Sequence, residues 1–299
     1  MYYEDAEVIP GEDKLSNALK QAVFWLVHLS CILVFWVGFS WVALGMCVFL
    51  YVLRMFAITG GYHRYFSHRS YETSRTFQFL LACLGASSAQ KGPLWWASHH
   101  RHHHRHSDTE EDVHPPIIHG IWYAHVGWVL SSQFVKPRLE LMKDFLKFPE
   151  IRLVDRFHLV PPVILGIATY FCGSFLQRYA PGLGTSGPQM LVWGFFVSTV
   201  FLYHGTFCIN SMAHLVGSKR FKTGDHSRNC FILAIITLGE GWHNNHHRYP
   251  GSERQGFYWW EIDITHYILK SLSWLGLVWD LRVPPARIYD EARSNAAAY

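Results

Sequence analysis

Two pairs of apolar runs set the frame of this chain. Residues 21–37 are interrupted in their interior only by His28 and Ser30, and residues 41–58 only by Arg54. Gly38, Phe39 and Ser40 leave room for a tight turn between them. A second pair follows at 157–176 and 190–212, joined by a loop punctuated by Gly182, Gly184, Gly187 and Pro188. Pro161 and Pro162 fall where the third helix opens and a missing N–H costs least. Each run approaches the ~20 residues that cross a bilayer. The stretch 77–97 is also apolar, but Gln90, Lys91, Gly92 and Pro93 break it, so it reads as an interfacial helix followed by a turn. The pattern predicts an all-α integral membrane protein. Four transmembrane helices would carry a helical cap built from 59–156 and 213–299.

A buried helical core would give similar runs, and the charges decide between the two. Of 26 Lys and Arg, only Arg178 lies in either proposed outer loop. Arg54 sits inside the second run, and the rest are in the N-terminal segment, 59–156 or the C-terminal segment. This is the positive-inside asymmetry. It predicts a multi-pass protein with both termini and the cap in the cytoplasm, in the cytoplasmic membrane if the source is bacterial. The first 19 residues are polar and acidic, so no cleavable signal peptide is expected. The net charge of +4 is small and no basic reading helix appears, which argues against a nucleic-acid partner. The six cysteines form no C-x-x-C pair and read as small buried hydrophobes.

Candidate chemistry lies in nine histidines. His63 and His68 follow the second run, with Gly60 and Gly61 just before them. His100, His103 and His104 are spaced H-x-x-H-H, and His243, His246 and His247 repeat that spacing. His214 ends the fourth run, four residues after Asn210, so both face the same way. Neutral imidazole binds iron, copper and zinc, and nine are too many for one tetrahedral zinc. They suit two adjacent transition-metal ions. Four spans place all nine on one side; an odd number would separate them. At i, i+3 and i+4, His100, His103 and His104 share a helical face. His63 and His68, five apart, do not share one on an α-helix and need the helix to end or bend. His99 and His106 read as spectators or supporting groups, with His102 open on spacing. Asp108, Glu110, Glu111, Asp112 and Glu240 are candidate carboxylates to orient the ligands.

These motifs together resemble the membrane fatty-acid desaturase family, in its stearoyl-CoA desaturase and bacterial Δ9 acyl desaturase branch. The matching segments are TGGYHRYFSHRSY (59–71), WWASHHRHHHRHSDTEEDVHP (95–115), AHVGWVL (124–130), NSMAHLVG (210–217) and GEGWHNNHHRYP (239–250). The likeness implies a single desaturase domain over 1–299. It implies two iron ions ligated by His63, His68, His100, His103, His104, His214, His243, His246 and His247, with Asn210 reaching one through water. The reaction implied is O2-dependent introduction of a cis double bond, at Δ9, into a long-chain saturated acyl group. A kinked tunnel would be lined at Gln90, Trp96, Thr206 and Phe207. Its far end would lie at Tyr51 and Met55, 12 and 8 residues before His63, or about 18 and 12 Å along a helix. Met55 is expected to shorten the tunnel and favour C16 over C18 chains. Membrane lipids surround the spans, and with no haem motif or Fe–S cysteine pattern, the electron donor would be a separate ferredoxin, rubredoxin or cytochrome b5 with its reductase.

The chain departs from this branch where basic residues hold CoA phosphates: it has Ser98, Ser131 and Ser132 there. Lys91, Lys136 and Arg138 are the candidate substitutes. Acyl-CoA is the expected substrate, with an acyl-lipid or an acyl-carrier-protein thioester as the alternative. Two other readings compete. A membrane di-iron alkane or acyl hydroxylase would begin with the same hydrogen abstraction. A polytopic metal-binding or transport protein would place ionisable residues near the midplane, where only His28 and His204 lie.

Overall fold

The structure is a computed structural model that describes residues 12–297. Four of its helices are long and apolar enough to cross a membrane: Asn17–Val37, Trp41–Ser67, Val160–Tyr179 and Gly187–His214. Gly38, at φ 72°, turns the chain between the first two, a conformation that costs a side-chain-bearing residue strain. The Ser40 hydroxyl then accepts the Ala43 N–H at 3.1 Å and caps the second helix. Large apolar side chains remain exposed along these helices, among them Phe35, Trp36, Phe171 and Phe201. A belt of this size fits lipid, not water.

The second helix does not end at residue 58. It continues as a π-helical stretch, Ala57–Ser67, in which every residue is buried. It runs on because Arg75–Ala86 and Pro93–His106 enclose it. A Cβ on Gly60 would lie 2.8 Å from the Phe56 ring, and one on Gly61 would lie 3.6 Å from Leu81. The fourth helix also carries a π-helical stretch, Leu191–Val197, and closes on a tight turn at Met212–His214. The third starts at Val160, with Pro161 and Pro162 in its first turn.

Third and fourth helices meet through glycine. A Cβ on Gly173 would lie 2.4 Å from the Ser186 carbonyl oxygen and 2.7 Å from Met190. Gly194 leaves similar room for Met46 and Thr169. Small residues let helix backbones approach closely where lipid offers no hydrophobic drive. The first helix is held differently, since only 11% of its apolar window is buried. Its His28 contacts His204 of the fourth helix, Nε2 to Nε2, at 3.2 Å, and His204 Nδ1 lies 3.0 Å from His125 Nε2.

The cap is mostly helical, with one short antiparallel pairing, Glu72–Thr73 with Val278–Trp279, and isolated bridges from Asn229 to Ser218 and Trp242. The 77–97 stretch resolves into the helix Arg75–Ala86, a turn, and the start of Pro93–His106. One apolar cluster joins spans and cap, running from Met55 through Tyr62, Phe66 and Leu94 to Phe145, Ile151 and Leu269. Replacing Gly173 by Leu should lower thermal stability in detergent by about 1–3 kcal/mol, because the contacted carbonyl is backbone and cannot move aside. Thermal unfolding followed by tryptophan fluorescence measures this.

Candidate metal centre

The nine histidines converge in two groups. His63, His68, His100, His104 and His246 form one, and His103, His214, His243 and His247 the other; within each, the donor nitrogens lie within 4.8 Å of one another. Each H-x-x-H-H box straddles both groups. Pro93–His106 sends His100 and His104 to the first and His103 to the second. His243–Arg248 sends His246 to the first and His243 and His247 to the second. The i, i+3, i+4 spacing therefore builds the wall between the groups as well as part of each.

His63 and His68 come together because the helix carrying them is π-helical there. The His68 N–H bonds the His63 carbonyl at 3.2 Å, an i→i+5 closure. The two ring centroids lie 4.9 Å apart. A wider turn thus does what an α-helix could not for residues five apart.

In the first group, Nε2 atoms stand 3.0 Å apart for His63–His246, 2.9 Å for His246–His104, 3.0 Å for His104–His100 and 2.9 Å for His100–His68. In the second, His214 and His243 are 3.0 Å apart, Nε2 to Nε2. A ring nitrogen has one N–H or one lone pair, so it cannot serve two such neighbours by hydrogen bonding. A shared cation satisfies all of them. Ligands at right angles around an ion, with bonds of about 2.1 Å, sit about 3.0 Å apart. His103 Nε2 and His247 Nε2 are buried with no hydrogen-bond partner. The residues present fit metal ions.

Carboxylates fix the outer nitrogens. His103 Nδ1 lies 2.8 Å from Asp112, His214 Nδ1 2.9 Å from Asp108, and His247 Nδ1 2.6 Å from Asp225. His63 Nδ1 pairs with Glu240, which Arg64 grips from the other side at 3.1 Å. Each contact keeps the proton on Nδ1 and turns an Nε2 lone pair inward. Asp108 also accepts the His226 N–H at 2.7 Å. Burial works against ionising Asp112 and Asp225, yet the adjoining histidines hold both well below the usual carboxylate range. Burial pushes His68, His100, His104, His243 and His246 well below the ordinary imidazole value, and neighbouring histidines push the same way. These rings are neutral at pH 7, the form that binds metals.

Some expected carboxylates do not take part. Glu110 and Glu111 are exposed, and Glu111 turns to His106 at 3.0 Å. His102 points away, to the Glu111 carbonyl at 2.7 Å, and His99 bonds the Trp95 carbonyl at 2.8 Å. Three contributors lie outside the sequence expectation. Asp225 is 22 residues from its histidine, and no local motif marks it. His114 joins His103 and Asp112 in a third close set. Gln255 bonds Glu240 at 2.9 Å and lies 3.3 Å from His63 Nδ1.

Two cavities flank the centre. The outer one, about 190 Å³, is lined by Lys20, Phe24, Gln90, Trp96, Tyr203 and Phe207 among others. The inner one, about 40 Å³, reaches His63, His103 and His243 and ends at Met55 and Ile58. Trp96, His100, His114, Thr206 and Asn210 line both. Gln90 bonds Thr206 at 3.0 Å between them. Tyr51 lines neither; its hydroxyl donates to the Ile236 carbonyl at 2.7 Å, and it packs with Met55 against Gly205.

Comparison with known proteins supplies the class. The family model for fatty acid desaturases matches residues 39–273. An acyl-CoA 5-desaturase of Anemone leveillei is 36% identical over 250 residues, 82% of this chain and 74% of the relative. An sn-1 stearoyl-lipid 9-desaturase of Synechocystis sp. is 36% identical over 283 residues, 92% of this chain and 83% of the relative. A hex-5-enoyl-[acyl-carrier protein] acetylenase of Moorena producens is 34% identical over 272 residues, 86% and 82%. The chain belongs to the fatty acid desaturase family, and so is an oxidoreductase acting on acyl chains.

Loss of an orienting carboxylate should weaken one group only. Asp225→Asn is expected to lower metal affinity of the second group 10–100-fold and leave the first intact. Elemental analysis after mild chelation should fall from about two ions per chain to about one.

Proposed function

We propose that this protein is an O2-dependent di-iron desaturase that introduces a cis double bond, at Δ9, into a long-chain saturated acyl group. The observation that carries the proposal is the shared wall between two all-imidazole groups and an apolar cavity: Trp96, His100 and Asn210 belong to both surroundings. Nitrogen-only donor sets with supporting carboxylates suit iron. His63, His68, His100, His104 and His246 would hold one ion; His103, His214, His243 and His247 would hold the other, with Asn210 reaching it through water. Bound iron would supply O2 activation and the removal of hydrogen from an unactivated methylene.

The balance is fixed by chemistry. A CH2–CH2 pair, O2, two electrons and two protons give CH=CH and two waters. The chain's own residues do the rest. The cavity walls exclude water and orient one methylene pair. Trp96 lies flat on His100, 5.2 Å between centroids, and presents an apolar face towards the acyl chain. The Gln90–Thr206 bond bends the path, and Met55 closes it. The electrons come from a separate ferredoxin, rubredoxin or cytochrome b5 system. The charge asymmetry supports a cytoplasmic cap and termini.

Acyl-CoA is the substrate form we assign, with Lys20 and Lys91 at the outer cavity as the available cations. An acyl-lipid is the second reading, and two observations favour it. Ser98 is fully buried, its hydroxyl donating to the Trp95 carbonyl and accepting the Arg138 N–H, so it cannot touch a carrier. The outer cavity is also walled by the first membrane helix, at Leu19, Lys20, Val23 and Phe24.

Expression in a desaturase-deficient host should yield a new monounsaturated fatty acid by gas chromatography–mass spectrometry, absent with His246→Ala. Hydroxylated products would contradict the assignment. Met55→Ala should shift preference from C16 towards C18 chains by severalfold; an unchanged ratio would remove Met55 from the floor of the cavity.

A further inference from the structure

Arg54 is the one basic residue of the second apolar run, and it is fully buried. The partners of its guanidinium are all neutral. Nη1 donates to Thr199 Oγ1 at 2.7 Å and reaches the Ser87 carbonyl at 3.4 Å; Nη2 donates to Ser198 Oγ, and Nε to the Leu50 carbonyl at 3.1 Å. A buried cation inside a membrane helix without a carboxylate is costly, and such residues mark function. No metal or substrate contact explains it, because Arg54 lines neither cavity.

What Arg54 holds is the turn 87–91. Ser87 receives its Nη1, and the Ser88 hydroxyl donates back to the Arg54 carbonyl at 3.4 Å. Two tyrosines clamp the same turn from either side. Tyr203 donates to the Ala89 carbonyl at 2.9 Å, and the Tyr62 hydroxyl lies 3.3 Å from the Lys91 carbonyl. The clamping has a reason. Ala89 and Lys91 both have left-handed backbones, at φ 56° and 70°, a conformation disfavoured for residues with a Cβ. Without restraint the turn would relax, and strain of this kind persists only where surroundings over-determine it. Between these two residues sits Gln90, which lines the outer cavity and whose side chain crosses at 3.0 Å to Thr206, a residue that lines both cavities.

We propose that Arg54 is a positioning residue for the site of desaturation: with Tyr203, it locks the strained 87–91 turn so that the Gln90–Thr206 bar stands at one fixed distance from the metal centre. The bar sets where the acyl chain bends and therefore which methylene pair faces the irons. Arg54 reaches the bar from both ends. It holds Ser87 on one side, and on the other Ser198 and Thr199, whose helix carries Thr206, Asn210 and His214. The inference rests on the desaturase reading and adds to it the element that fixes double-bond position. Removing the guanidinium leaves the two hydroxyls paired, since Ser198 also bonds the Gly194 carbonyl and Thr199 the Phe195 carbonyl at 2.6 Å. Variants are therefore expected to fold.

The test compares wild type, Arg54→Gln, Arg54→Lys and Tyr203→Phe in the desaturase-deficient host. Double-bond position is read by mass spectrometry of dimethyl disulfide adducts, and metal content is measured on each purified protein. Wild type should give one positional isomer. Arg54→Gln should place at least a tenth of the product one or two carbons away with metal content unchanged, Tyr203→Phe should do so to a smaller extent, and Arg54→Lys should partly restore the single isomer. A single unchanged isomer from Arg54→Gln would overturn the inference while leaving the desaturase reading intact. If Arg54→Gln does not accumulate, Tyr203→Phe decides by the same criterion. An iron-loaded wild type without any unsaturated product would instead remove the desaturase reading, and this inference with it.

Discussion

Nine imidazoles packed together are the constraint on which the fold depends. Each brings a lone pair that no neighbour can satisfy, because the neighbours are also imidazoles standing about one ligand–ligand distance away. Such a cluster suits cations, and four of its rings, His63, His103, His214 and His247, are held from behind by carboxylates. Glu240, Asp112, Asp108 and Asp225 do the holding; Asp108 and Asp112 share one turn, and Asp225 and Glu240 come from later segments. Arg64 ties Glu240 to Asp263, so the C-terminal region takes part in the centre as well. The cap therefore supplies six of the nine rings, from Pro93–His106 and His243–Arg248, and sets them against His63, His68 and His214 at the ends of the two longest membrane helices.

The membrane part serves the same end. Close glycine contacts between the third and fourth helices set the bundle's spacing, and the fourth helix carries Thr206, Asn210 and His214 on successive turns. The second helix carries Met55 and then His63, so two residues that line the inner cavity sit on one continuous helix. The first helix is the least buried of the four and lines the outer cavity.

Much of this was legible in the sequence, and the failures have physical causes. The four apolar runs needed only length and composition. The histidine boxes needed only helical spacing, and their number suggested two ions; that neighbouring residues on one face serve different groups emerges only in the fold. The π-helical stretch at 57–67 was not legible, because it depends on enclosure by two cap helices. Asp225 was not legible either, since its link to His247 exists only after folding. Glu110 and Glu111 were overread: proximity in sequence to the histidine run does not bring a side chain off an exposed turn. Tyr51, which the family likeness puts at the far end of a tunnel, lines neither cavity: its hydroxyl donates to the Ile236 carbonyl, and Met55 lines the inner one.

The most direct measurement is anomalous X-ray diffraction at the iron edge from crystals of the iron-loaded protein. The account predicts two iron positions, one among His63, His68, His100, His104 and His246, and one among His103, His214, His243 and His247. A single position, or a site shared by both groups, would contradict it.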